Sequence, residues 1–76
     1  MNETREKLAE LCHKQWTGWM QYLFSKCHRI EHGDVVIPES LVHRWMRQIN
    51  TRYENLPESE KESDRKEADR FLELMR

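Results

Sequence analysis

An all-α fold, a small three-helix domain with a short extended segment between helices 1 and 2, is predicted by three observations on this 76-residue chain. Apolar residues recur at three- and four-residue intervals over much of its length. Two prolines, Pro38 and Pro57, each stand directly before a run of helix-forming residues. A Gly33-Asp34 turn signal precedes a short β-branched run.

The first helix is expected from about Glu3 to Cys27. Leu8, Cys12, Trp16, Trp19, Met20, Leu23 and Cys27 fall within an arc of about 120° at 100° per residue, the stripe of an amphipathic helix. Asn2 or Thr4 caps its start, and Glu3 and Glu6 suit the positive end of the helix dipole. Gly18 interrupts it, and glycine within a helix costs about 1 kcal/mol relative to alanine, so another group is expected to approach closely there. Leu11, Gln15 and Tyr22 share the Gly18 side, which reads either as a helix crossing or as the floor of a ligand groove. The helix frays near His28, and Val35-Val36-Ile37 forms an extended segment or tiny strand closed by Pro38. Proline at a first helical position opens the second helix, whose apolar side is Leu41, Val42, Trp45, Met46 and Ile49 and whose end falls near Asn50. Pro57 opens the third, running towards Arg76. Its first turns are almost wholly charged, and Ala68, Phe71, Leu72, Leu74 and Met75 supply its docking face.

At this length the chain, residues 1–76, is a single helical domain that buries about 60 % of the surface its unfolded form exposes. Self-association is a common remedy for so small a core, and a homo-oligomer is expected. The polar N-terminus does not read as a signal peptide, and no apolar run approaches the roughly 20 residues of a membrane span. A soluble cytoplasmic protein without a membrane partner follows, its Cys12 and Cys27 free thiols at positions a helix would bury.

Charge is unevenly spread around a net of -1. Residues 26–53 carry five basic and three acidic side chains, and residues 54–76 carry five basic and eight acidic. That weak basic excess fits a small anionic ligand better than nucleic acid, which usually meets a clear Lys/Arg face. A small nucleic-acid-binding regulator using Arg44, Arg47 and Gln48 is the least favoured reading.

No enzyme is expected. Cys12 with His13 and Cys27 with His28 are sequence neighbours pointing in different helical directions, and the acids of the third helix lie on a surface where nothing raises a pKa. His28 and His32 have helical zinc spacing, but Cys12 and Cys27 are about 22 Å apart along one helix and cannot share a metal. No catalytic residue, metal site or cofactor is therefore assigned.

Three tryptophans, Trp16, Trp19 and Trp45, occupy positions that helical periodicity would bury. Such rings also stack on flat ligands, and with Tyr22, Tyr53, Arg44, Arg47 and Arg52 they are able to frame a site for a nucleobase with phosphates. Lys61 and Arg65 are candidates to face inward from the charged third helix.

The segment Tyr53-x-x-Leu56-x-Glu58-x-Glu60-Lys61-Glu62-x-Asp64-Arg65, with His13, Trp16, Trp19 and Tyr22 upstream, resembles the ryanodine-receptor repeat. That small domain occurs in tandem in those calcium channels and as stand-alone copies in bacteria and their viruses. Val36-Ile37-Pro38 and the helix carrying Trp45 depart from the family pattern. The resemblance implies a non-enzymatic binding protein for an adenine-nucleotide-derived ligand, ADP-ribose-like or a cyclic nucleotide signal, in a phage or defence setting as a sensor or sponge. On that reading Trp16, Trp19, Tyr22, Trp45 and Tyr53 line or stack in the pocket, and Arg44, Arg47 and Lys61 or Arg65 meet phosphate. The alternative is a helical protein-protein interaction module that dimerises or docks on a partner, which four methionines and three tryptophans in so short a chain also favour.

Overall fold

Twenty-five residues free of proline form α1 (Asn2–Lys26), with Glu3 in its first turn and Lys26 in its last, both favourable to the helix dipole. The helix closes where the Ser25 hydroxyl donates to the Tyr22 carbonyl at 2.6 Å. The chain then turns back on itself. In this computed structural model, which describes residues 2–76, β1 (His28–Arg29) pairs antiparallel with β2 (Val35–Val36), His28 opposite Val36 and Arg29 opposite Val35. His32 (φ 65°) and Gly33 (φ 86°) are both left-handed, the conformation a tight hairpin turn needs at its two central residues. The extended segment predicted here is thus the second arm of a small hairpin.

Pro38 and Pro57 start α2 (Glu39–Ile49) and α3 (Glu58–Leu74) by the same device. Each stands one position earlier than the sequence suggests, in extended conformation just outside the helix, and its carbonyl accepts the first helical bonds. The amides of Leu41 and Val42 donate to Pro38 O at 3.0 and 3.1 Å, and those of Glu60 and Lys61 donate to Pro57 O at 3.0 Å. At the far end of α2, Asn50 Nδ2 donates to Met46 O at 2.8 Å and Thr51 Oγ1 to Arg47 O at 2.6 Å, side-chain bonds added to those the Asn50 amide already makes to both carbonyls. A single 3-10 turn, Tyr53–Asn55, leads into α3.

The three helices and the hairpin confirm a small all-α domain, but its packing is open. Helix α3 lies along α1, where Gln15 Nε2 donates to Glu67 O at 3.5 Å. Among the described residues Leu11 and Gln15 alone are buried. The periodicity of α1 places its core face around Trp16, whereas the buried line runs through Leu11 and Gln15, rotated by roughly 100°. Trp16 and Trp19, expected inside, are 55 % and 59 % exposed, and Cys12 is exposed while Cys27 is half-buried. The reason is that α3 carries its charged half against this part of α1, so the helix offers its more polar side to α3 and leaves its aromatic side uncovered.

The dimensions express the same fact. The Cα radius of gyration is 15.8 Å, against about 11 Å for a compact chain of this length. The molecule measures 46 × 34 × 16 Å, and no described helix is long and apolar enough to cross a membrane.

Candidate functional site

Between the three helices lies a groove of about 920 Å³. Helix α1 supplies Gln15, Gly18, Trp19 and Tyr22, one i, i+3, i+4, i+7 stripe that includes Gln15 and Tyr22 of the strip singled out beside Gly18 in the sequence, while Leu11 lies outside the groove. Helix α2 supplies Arg44, Trp45 and Gln48. Leu56 and the stripe Ser59, Glu60, Ser63, Asp64, Glu67 and Arg70 form the α3 wall. One side is aromatic and carries a cation, and the other is polar and acidic.

Gly18 lies open within the chain. A Cβ built there meets nothing within 4 Å, so among the described residues no other group makes the close approach expected from its sequence position. The space over it belongs to the groove.

The most closely held charge is Glu60, whose side chain is 16 % exposed. Arg47 Nη2 donates to its Oε2 at 2.5 Å, and that hydrogen bond holds the carboxyl below the ordinary 4.5, against the opposing effect of burial. The other oxygen, Oε1, is buried with no hydrogen-bond partner within bonding geometry among the described residues, while the nearby Gln48 amide also helps to hold the carboxyl low. Arg70 Nη1 donates to Glu67 Oε1 at 3.2 Å. Arg44 on the α2 wall and Asp64 on the α3 wall enter no ion pair or side-chain hydrogen bond among the described residues.

Of the nine residues expected to hold a ligand, Trp19, Tyr22, Arg44 and Trp45 come together in this groove. Arg47 does not line it and is committed to Glu60. Tyr53, Lys61 and Arg65 gather elsewhere, at the start of α3: the Lys61 ammonium lies 5.9 Å from the Tyr53 ring centre and 3.5 Å from Glu58, and Arg65 donates to Glu58 at 3.0 Å. The Arg65 hydrogen bond holds the Glu58 carboxyl low and Glu58 in turn raises Arg65. These cations neutralise an acid of their own helix and are not directed at the groove. Trp16 lies outside it too, stacked on His13 with centroids 6.0 Å apart.

Sequence reading missed the α3 wall. Its signal was present in Ser59, Ser63 and the acids at three- and four-residue spacing from Glu60 to Glu67, a polar stripe that resembles any solvated helix face until α1 is laid beside it. Among the described residues no three His, Cys, Asp or Glu side chains converge as a metal ion would require. Comparison of the chain with protein-family models, curated proteins and solved structures returns no match.

Proposed function

We propose that this chain is a helical protein-interaction module, acting by binding and without chemistry of its own, whose fold is completed by a second polypeptide. One observation carries the reading. A compact protein of 9.4 kDa exposes about 5,000 Å², and this chain exposes 6789 Å², an excess of roughly 1,800 Å². The excess includes large apolar side chains on every helix: Trp16, Trp19 and Phe24 on α1, Val42, Met46 and Ile49 on α2, and Leu72 and Leu74 on α3. Soluble monomers seldom leave so much apolar surface in contact with water, and aromatic and methionine side chains are the usual material of interfaces.

The test is made on the purified chain at nanomolar concentration, where self-association is minimal. Strong binding of a hydrophobic dye and a broad, weakly cooperative thermal transition are expected. A dye-silent monomer with a sharp transition would overturn the reading.

A second reading has a specific observation in its favour: Trp19, Tyr22, Arg44 and Trp45, from two helices, share one groove with space for a nucleotide. It retains the resemblance to the ryanodine-receptor repeat and its adenine-nucleotide class of ligand. The groove's three acids against two arginines weigh against a phosphate-rich ligand. Calorimetry against ADP-ribose, cyclic ADP-ribose, ATP and cyclic dinucleotides, with Arg44→Ala as the control, decides it. Absence of heat at near-millimolar concentration removes this reading.

A further inference from the structure

Resting on the reading as an interaction module, we propose that the partner is a second copy of this chain, seated on the groove face about a two-fold axis, with Arg44 and Asp64 of each copy paired reciprocally with Asp64 and Arg44 of the other. Three features favour this occupant, the first a property of the whole chain and the other two of the groove. The first is area. An excess of roughly 1,800 Å² per chain, matched by the same excess on a second copy, falls in the 2,000–5,000 Å² range of total surface buried by obligate homodimers. A small ligand would cover only a fraction of it.

The second feature is Gly18. A helical glycine with nothing near its Cβ position leaves the floor of the groove bare. A helix or aromatic ring of the opposing copy approaches the α1 backbone most closely where no side chain stands, between Trp19 and Gln15.

The third is charge. An isologous contact brings the same patch together twice, so a patch fits itself only when it carries both members of each pair. Arg47 is engaged with Glu60, and Arg70 with Glu67. Among the described residues of the groove that leaves one cation without an ion pair, Arg44 on the α2 wall, whose charge only adds to the field at Glu60, and one anion without an ion pair, Asp64 on the α3 wall. A two-fold rotation that lays α2 of one copy over α3 of the other satisfies both at once.

The reciprocal pairing is tested by charge exchange, using light scattering and sedimentation equilibrium on the full chain. Wild-type protein is expected at twice the 9.4 kDa chain mass. Arg44→Glu and Asp64→Lys each place like charges together at both contacts, and each is expected to raise the dimer dissociation constant about ten-fold or more. Mixed in equal amounts, the two variants oppose unlike charges at both contacts, and assembly returns to near the wild-type constant. Both side chains are exposed, so circular dichroism should show unchanged helix content. Rescue on mixing is an outcome that general destabilisation does not produce.

A wild-type dimer indifferent to both substitutions overturns the pairing. A wild-type chain that remains at 9.4 kDa into the high micromolar range overturns the second copy as partner. Dye binding then separates the two levels: a dye-binding, weakly cooperative monomer still needs a different polypeptide, whereas a dye-silent, cooperative one removes the interaction module as well.

Discussion

The guanidinium of Arg47, in the last turn of α2, donates to Glu60 Oε2, in the first turn of α3, at 2.5 Å. This bond ties the two helices across the intervening 3-10 turn, and it fixes the acidic wall of the groove relative to the wall that carries Arg44 and Trp45. Its strength depends on the charge of one carboxylate. Because Arg47 holds Glu60 below 4.5, the carboxylate is better stabilised in the folded than in the unfolded chain.

The sign of the pH dependence follows. The contribution is fully present above pH 4.5 and is lost as pH falls through the lower folded-state value, where both forms become protonated. Glu60→Gln is therefore expected to melt below wild type at pH 7 and to converge with it once the pH has fallen below the folded-state value. Arg47→Ala should show the same convergence. Equal separation of the melting curves at pH 7 and below that value would mean that the pair contributes through packing alone.

The hairpin turn provides a test independent of any partner. His32 holds a left-handed φ of 65°, a conformation that costs most non-glycine residues roughly 1–2 kcal/mol and costs asparagine less. His32→Asn is expected to raise the thermal midpoint by a few degrees. Gly33→Val, which forces a β-branched residue to the φ of 86°, is expected to lower stability by about 1–2 kcal/mol and to loosen the pairing of His28 with Val36. Space is not the issue, since a Cβ at Gly33 meets nothing within 4 Å.

Trp19 and Trp45 line the groove and Trp16 does not. If a second copy covers that face, their emission is blue-shifted in concentrated protein and moves to the red on dilution through the dissociation constant. Trp16→Phe should preserve the shift, and Trp19→Phe should remove much of it. A shift that tracks Trp16 instead would place the contact on the His13 side of α1.

The helices were legible in the sequence because their signals are local. Pro38 and Pro57 mark two starts, Asn50 and Gly33-Asp34 mark an end and a turn, and the periodicity of residues 8 to 27 sets the length of α1. Which face of α1 is buried was not legible. Leu11 and Gln15 are chosen by the position of α3, a long-range property, and the apolar stripe through Trp16 and Trp19 is left exposed. The groove was half legible for the same reason. Gly18, Trp19 and Tyr22 stand out because they are unusual in a helix, while Glu60, Ser63 and Asp64 look like any solvated stripe. The basic residues misled in a physically simple way: Lys61 and Arg65 stand within one to two turns of Glu58, so local ion pairs take them before any ligand can.

Gly18 separates the effect of helix propensity from that of the groove. Within the chain its Cβ position is empty, so Gly18→Ala adds a methyl group without a clash and should stabilise α1 by about 1 kcal/mol. For a domain of this size that corresponds to a rise of roughly 4–8 °C in melting midpoint. Gly18→Leu keeps most of the propensity gain but fills the floor between Gln15 and Tyr22. A second copy laid against that floor then meets a branched side chain in place of bare backbone. The leucine variant is therefore expected to keep or exceed wild-type helix content by circular dichroism while running as a monomer in light scattering. A fully assembled leucine variant would show that the covered face of the chain lies elsewhere, towards Trp16 or the Val42, Met46 and Ile49 stripe of α2.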